Sequence, residues 1–327
     1  MKRNEVINYL RCMATIFVVF IHASNIFSYL DVDRSNVFIN ILFILSNTAV
    51  PIFFLISGYL TFSKEKIDYK KHYSKKLKAL VIPYIIWTIV YFLLDKVLNI
   101  ANLGSEQTKN IFELFIGIPF YTDPVLYGPL WFLRDLILLN ILEPLIDKIY
   151  KYINCGITLF ILLIAMLTAI PLHLYHCLFF ILGGLLARNS KIKSILHKNI
   201  NWIIPILSCL IINVLEFKFQ NELISRIAVL IYMYFTYWFA KKTIHLKVPK
   251  MIIASITTYS FWIYLTHGKL LSILQIIVSK FAYENVVVAY LGYFILPVVT
   301  IGICVLVGKI MKKFAPKVFD ILVGNRS

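Results

Sequence analysis

Apolar residues in this chain gather in stretches close to twenty residues long, and the polar gaps between them are short. A helix of about twenty apolar residues matches the roughly 30 Å hydrocarbon core of a bilayer. Stretches of that kind lie near 6–29, 36–62, 79–98, 124–146, 152–171, 173–188, 201–218, 222–240, 253–276 and 286–309. The pattern therefore predicts an all-α fold, a polytopic integral membrane helical bundle of about ten transmembrane helices. Internal repeats and low-complexity tracts are absent from the sequence, so 1–327 reads as a single transmembrane domain. The N-terminal MKRNEVINYL lacks a small-residue cleavage site after its apolar core, so the first stretch is expected to remain as an anchor.

The charges test this arrangement independently. If the ten stretches cross in alternation, the segments on one side (1–5, 63–78, 147–151, 187–199, 240–250 and the tail from 309) hold 24 Lys and Arg. Those on the other side hold five: Arg34, Lys96, Lys109, Lys218 and Lys280. Basic residues concentrate in cytoplasmic loops, so both termini are expected to be cytoplasmic, in a cell membrane of bacterial type. The longest outer segment, 95–123, contains IFELFIGIPF, an apolar piece too short to span. It fits either a lid over the bundle or a loop resting on it.

Composition narrows the function. The chain is 60% hydrophobic and 15% charged, with a formal net charge of +17. A soluble nucleic-acid binder needs a polar surface to carry its basic patch, and none is available here, so the excess of Lys and Arg reports orientation in a membrane. The five cysteines form no C-x-x-C pair and read as small buried hydrophobes. His173 and His176 have adequate spacing for a metal but no evident third ligand, so no metal is expected.

With no soluble domain, chemistry has to reside in ionisable groups inside the spans, each of which costs about 2.5–3.5 kcal/mol at mid-membrane on insertion scales. Those groups are Arg11, His22, Arg134, Asp135, Glu143, His267 and Lys269. Arg11 and His22 bound RCMATIFVVFIH; as a helix this puts both on one face about 16 Å apart. His267 is about as far along its own span as His22, and Arg134 and Asp135 sit roughly ten residues into theirs, so the four are expected near one level. A neutral imidazole accepts a proton near physiological pH, which suits His22 to general-base removal of a hydroxyl proton. Glu143 and Arg226 are expected at the two interfaces, Arg226 against headgroups first and substrate second. The lysines of SKEKIDYKKHYSKKLK, among them Lys71, Lys75, Lys76 and Lys78, serve anionic lipid and topology, or a phosphorylated ligand on the cytoplasmic side.

Five stretches together resemble the membrane-bound acyltransferase 3 family: RCMATIFVVFIH, PIFFLISGYL, KKLKALVIPYIIW, GPLWFLRDLILLNILEPLI and YSFWIYLTH. They occur in the family's order and span nearly the whole chain, closest to its short stand-alone sugar O-acetyltransferases. The resemblance implies an acyltransferase that takes an acyl group, acetyl first among the candidates, from acyl-CoA at the cytoplasmic face. The acceptor it implies is a hydroxyl of a surface polysaccharide or lipid-linked glycan, in a reaction of O-acetylation. Acyl-CoA would be a co-substrate, with no tightly bound cofactor. By the same resemblance His22 is the base, Arg11 positions the donor and His267 is a second catalytic group. Lys71, Lys75, Lys76 and Lys78 would hold the donor's phosphates, and Arg134, Asp135, Ser57 and Tyr59 the acceptor. The family's arginine pair before Pro-Tyr is replaced by Lys76 and Ala79, which removes a bidentate clamp. Phe261-Trp262 stands where a smaller, Gly-containing pair is usual. The alternative reading from another class is a transporter or flippase of a glycan or lipid-linked intermediate, in which His22 need not be a base. An amino-acid-linked acceptor in place of a sugar is excluded by no residue.

Overall fold

The computed structural model describes residues 3–33, 36–63, 69–100, 129–168, 170–190, 194, 201–244 and 250–325. Among them the chain is helical and contains no strand. In chain order the helices are α1 (Arg3–Ala23), α2 (Asn25–Tyr29), α3 (Val37–Ser46), α4 (Ala49–Phe62), α5 (Tyr69–Lys76) and α6 (Ile82–Ile100). There follow α7 (Leu130–Ile141), α8 (Glu143–Tyr152), α9 (Cys155–Leu167), α10 (Leu172–Arg188), α11 (Ile203–Phe219) and α12 (Glu222–Thr243). The last are α13 (Lys250–Thr258), α14 (Ser260–Ser279), α15 (Val286–Phe314) and α16 (Pro316–Leu322). A π-helical turn, Leu77–Val81, joins α5 to α6.

Asparagines start several of these helices. Asn36, Asn154, Asn221 and Asn285 each accept a backbone N–H of the following first turn, satisfying a donor that the helix itself leaves open. Among the described residues six helical segments are long and apolar enough to cross a membrane: Glu5–Tyr29, Val37–Phe62, His72–Leu94, Glu222–Thr243, Ser260–Ser279 and Val286–Phe314. The stretches 152–171 and 173–188 fold as the shorter helices α9 and α10. These two lie antiparallel, because Asn189 at the end of α10 donates to the sulfur of Cys155 at the start of α9.

α1 is the central column, packed against α3, α4, α12, α13, α14 and α15. α4 and α10 are in the closest contact of all. Glycine permits it: a Cβ on Gly58 would lie 1.9 Å from the Phe180 carbonyl oxygen, and one on Gly183 would lie 2.1 Å from that of Leu55. Small residues at helix interfaces let backbones approach where no hydrophobic force drives helices together. Aromatic side chains fill the interior, Phe54 against Phe132, Trp87 against Trp262 and Phe20 against Tyr293. Large apolar side chains such as Phe160, Val214 and Val298 stay exposed on the outside, the surface that lipid covers. All five cysteines are free, and Cys12, Cys177, Cys209 and Cys304 are buried. The segment 95–123, read as either a lid or a loop resting on the bundle, lies outside the described residues from 101 onward.

Candidate functional site

Two histidines meet where α1 packs on α14. The ring centroids of His22 and His267 are 5.2 Å apart, with the planes tilted by 49°. His267 is fully buried, and its Nδ1 lies 2.9 Å from the Ile263 carbonyl oxygen and 2.8 Å from that of Tyr264. Carbonyls only accept, so Nδ1 carries the hydrogen and donates to both, which leaves Nε2 as an acceptor. That Nε2 is buried and has no hydrogen-bond partner among the described residues. His22 is partly buried, on the side of α1 that faces it.

Arg11 lies on the same helix, partly buried, and its carbonyl accepts from Thr15 Oγ1 at 2.8 Å. Among the described residues its guanidinium forms no ion pair. Ser57 and Tyr59 are partly buried in α4, on either side of the Gly58 contact with α10. Lys75 and Lys78 are exposed, and Lys76 donates to Thr61 Oγ1 at 3.4 Å, tying the start of the π turn to the end of α4. The side chain of Lys71, together with Lys64 and Lys66, lies outside the described residues.

Arg134 and Asp135 form a second cluster. Although neighbours on a helix point about 100° apart, the long Arg134 side chain bends back, and its Nε donates to Asp135 Oδ1 at 2.8 Å. Both are buried, Asp135 completely. Asp135 Oδ2 is 3.9 Å from His173 Nδ1 on α10. The His173 ring stacks on Trp131 at 4.1 Å and 8°, and His176 lies over the same indole at 5.6 Å and 20°. The two clusters adjoin through α7 and α14: Phe132 meets Tyr264 at 5.5 Å, and the Tyr264 hydroxyl donates to the Pro129 carbonyl at 2.5 Å. Among the described residues no three His, Cys, Asp or Glu side chains are placed to hold a metal ion.

Two residues expected at the interfaces are enclosed by protein. Glu143 is completely buried, with Oε2 2.6 Å from His72 Nε2, because α7 ends at Ile141 and the short break before α8 turns Glu143 inward toward α5. Arg226 is 5% exposed and turned away from headgroups. Its guanidinium donates to the carbonyls of Thr168 and Ile170 and to Glu222, and it lies 5.0 Å over the Tyr175 ring. It thereby satisfies the carbonyls left open where α9 turns back into α10, a need that a bilayer interior leaves no water to meet. The sequence reading also passed over Trp131 and His72. Trp131 stands within GPLWFLRD as one apolar residue among many, and His72 is hidden in a run of lysines.

The fold and these groups define a helical membrane protein with its ionisable side chains collected inside the bundle. Residues 4–309 match the model of the acyltransferase 3 family, described as an acyltransferase domain. The chain belongs to that family and is a multi-pass membrane protein of acyltransferase type. Comparison with curated proteins and with solved structures gave no match.

Proposed function

We propose that the protein is a membrane O-acyltransferase that moves an acetyl group from acetyl-CoA to a hydroxyl of a surface or lipid-linked glycan. The observation that carries this reading is the His22–His267 pair, in which His267 is held in one tautomer with an acceptor nitrogen in the buried interior. In this proposal the His267 acceptor favours the His22 tautomer whose N–H is directed to it. The other His22 nitrogen then carries no hydrogen and is able to take a proton.

In the proposed reaction that nitrogen removes the acceptor's hydroxyl proton as the oxygen attacks the thioester carbonyl. The tetrahedral intermediate expels the coenzyme A thiolate, which takes the proton back from the His22 imidazolium, leaving an ester and free coenzyme A. Arg11 supplies a cation for the donor about three helical turns from His22, a role its lack of an ion pair among the described residues supports. Lys71, Lys75, Lys76 and Lys78 serve the donor's phosphates at the cytoplasmic face, the side on which the basic loops place both termini. Arg134 and Asp135, with Ser57 and Tyr59, serve the acceptor.

Purified protein in nanodiscs, given radiolabelled acetyl-CoA and polyprenyl-diphosphate-linked sugars, is expected to label the lipid-linked fraction. Label that stays in acetyl-CoA and free acetate across sugars of varied stereochemistry contradicts the proposal.

A further inference from the structure

The helix of the first span is interrupted one residue after His22–Ala23, and side chains hold the break. α1 stops at Ala23 and α2 begins at Asn25, yet together they form one apolar span, Glu5–Tyr29. Three consecutive carbonyls at the break receive side-chain donors. Ser24 Oγ donates to the Ile21 carbonyl at 2.7 Å. Gln275 Nε2, reaching over from α14, donates to the carbonyls of His22 at 3.2 Å and Ala23 at 3.1 Å. A side chain inserted into the carbonyl ladder is an established cause of a sharp helix kink.

Gln275 is 1% exposed. Both of its partners are carbonyl oxygens, so the amide has to present its NH2 to them, and its orientation is fixed by chemistry. Its own Oε1 is buried with no hydrogen-bond partner among the described residues. Burying an unsatisfied oxygen is unfavourable, and Leu or Met would fill the same space without it. What the amide adds is the grip on two carbonyls. The same helix carries His267, so α14 reaches the end of α1 at two points, the ring of His22 and its backbone.

We infer that Gln275 is a positioning residue for His22: by holding the His22 and Ala23 carbonyls it fixes the helix break that follows His22 and aims the imidazole. The inference rests on the reading of His22 as the base. A reacting group displaced by about 1 Å loses on the order of 100-fold in rate, so loss of the grip is expected to lower kcat by about 10–100-fold. The KM for acetyl-CoA should stay unchanged.

Gln275→Met keeps length and volume and removes both donors. In protein labelled with nitrogen-15 histidine and held in nanodiscs, the His22 resonances are assigned by their loss in His22→Ala. Wild type should show one protonated and one bare ring nitrogen; Gln275→Met should move both toward their average as the ring samples both tautomers. In acetyl transfer, the same change should lower kcat in wild type and leave the residual rate of His22→Ala unaltered, because the two residues act as one unit. Unchanged His22 resonances in Gln275→Met overturn the inference, as does a further fall in the His22→Ala background. If His22→Ala transfers at the wild-type rate, the functional reading fails, and Gln275 with it; if His22→Ala is impaired and Gln275→Met is not, the positioning role alone fails. Should Gln275→Met not fold, Gln275→Asn, which shortens the arm by one methylene, carries the same comparisons.

Discussion

The Nδ1 of His267 is held by the Ile263 and Tyr264 carbonyls of its own helix, and its ring lies 5.2 Å from the imidazole of His22 between centroids. A helix that fixes one imidazole in this way sets the preference of the next. Replacing His267 by Phe keeps an aromatic ring in the buried site and deletes the acceptor. Transfer is expected to fall about 10–100-fold, the range found when a group that orients a functional histidine is removed. Steady-state kinetics on protein of wild-type thermal stability checks this, and an unaltered rate would separate His267 from the chemistry.

The Arg134–Asp135 pair is closed off from solvent. Asp135→Asn would leave a buried guanidinium without its carboxylate, and destabilisation of about 3–5 kcal/mol is expected. The double variant Arg134→Met with Asp135→Asn should recover much of that loss, since both charges of the pair are then removed. Thermal unfolding in detergent compares the three proteins; a single variant as stable as wild type would show that the carboxylate is not what holds Arg134.

At Gly58 and Gly183 a methyl group has no room, whereas Gly302 has nothing within 4 Å of an added Cβ. Gly58→Ala and Gly183→Ala are expected to force α4 and α10 apart and to lower the yield of monodisperse protein sharply. Gly302→Ala should stay within about 0.5 kcal/mol of wild type. Size-exclusion profiles of the three variants decide the matter.

Arg226→Lys keeps the charge but cannot reach the Thr168 and Ile170 carbonyls with a fixed fork. A loss of about 3 kcal/mol is expected, on the scale of breaking a buried charged contact. A cysteine placed at Ile170 should also react faster with a membrane-permeant maleimide in the Arg226→Lys background than in wild type. Equal labelling rates would show that the turn holds without Arg226.

Much of this was legible in the sequence because a bilayer imposes length and polarity rules on each segment separately. Apolar length found the helices, and the rarity of ionisable groups inside them singled out His22, His267, Arg134 and Asp135. Contacts between distant segments carry no such local mark. Gln275 lies 253 residues from the His22 carbonyl it holds and looks like one polar residue in an apolar run. Arg226 near a span end fits a headgroup reading equally well until the α9–α10 turn is seen to need its donors. The burial of Glu143 carries no local mark for a related reason, since its partner His72 sits among lysines that suggest a solvated loop.

The central claim is that His22 removes the acceptor's proton. Acetyl transfer from radiolabelled acetyl-CoA to a lipid-linked sugar, measured for wild type and His22→Ala at equal folded yield, tests it most directly. The account predicts a fall of at least about 100-fold, the scale for loss of a general base. Transfer at the wild-type rate by His22→Ala would contradict it and leave His22 as a packing residue between α1 and α14.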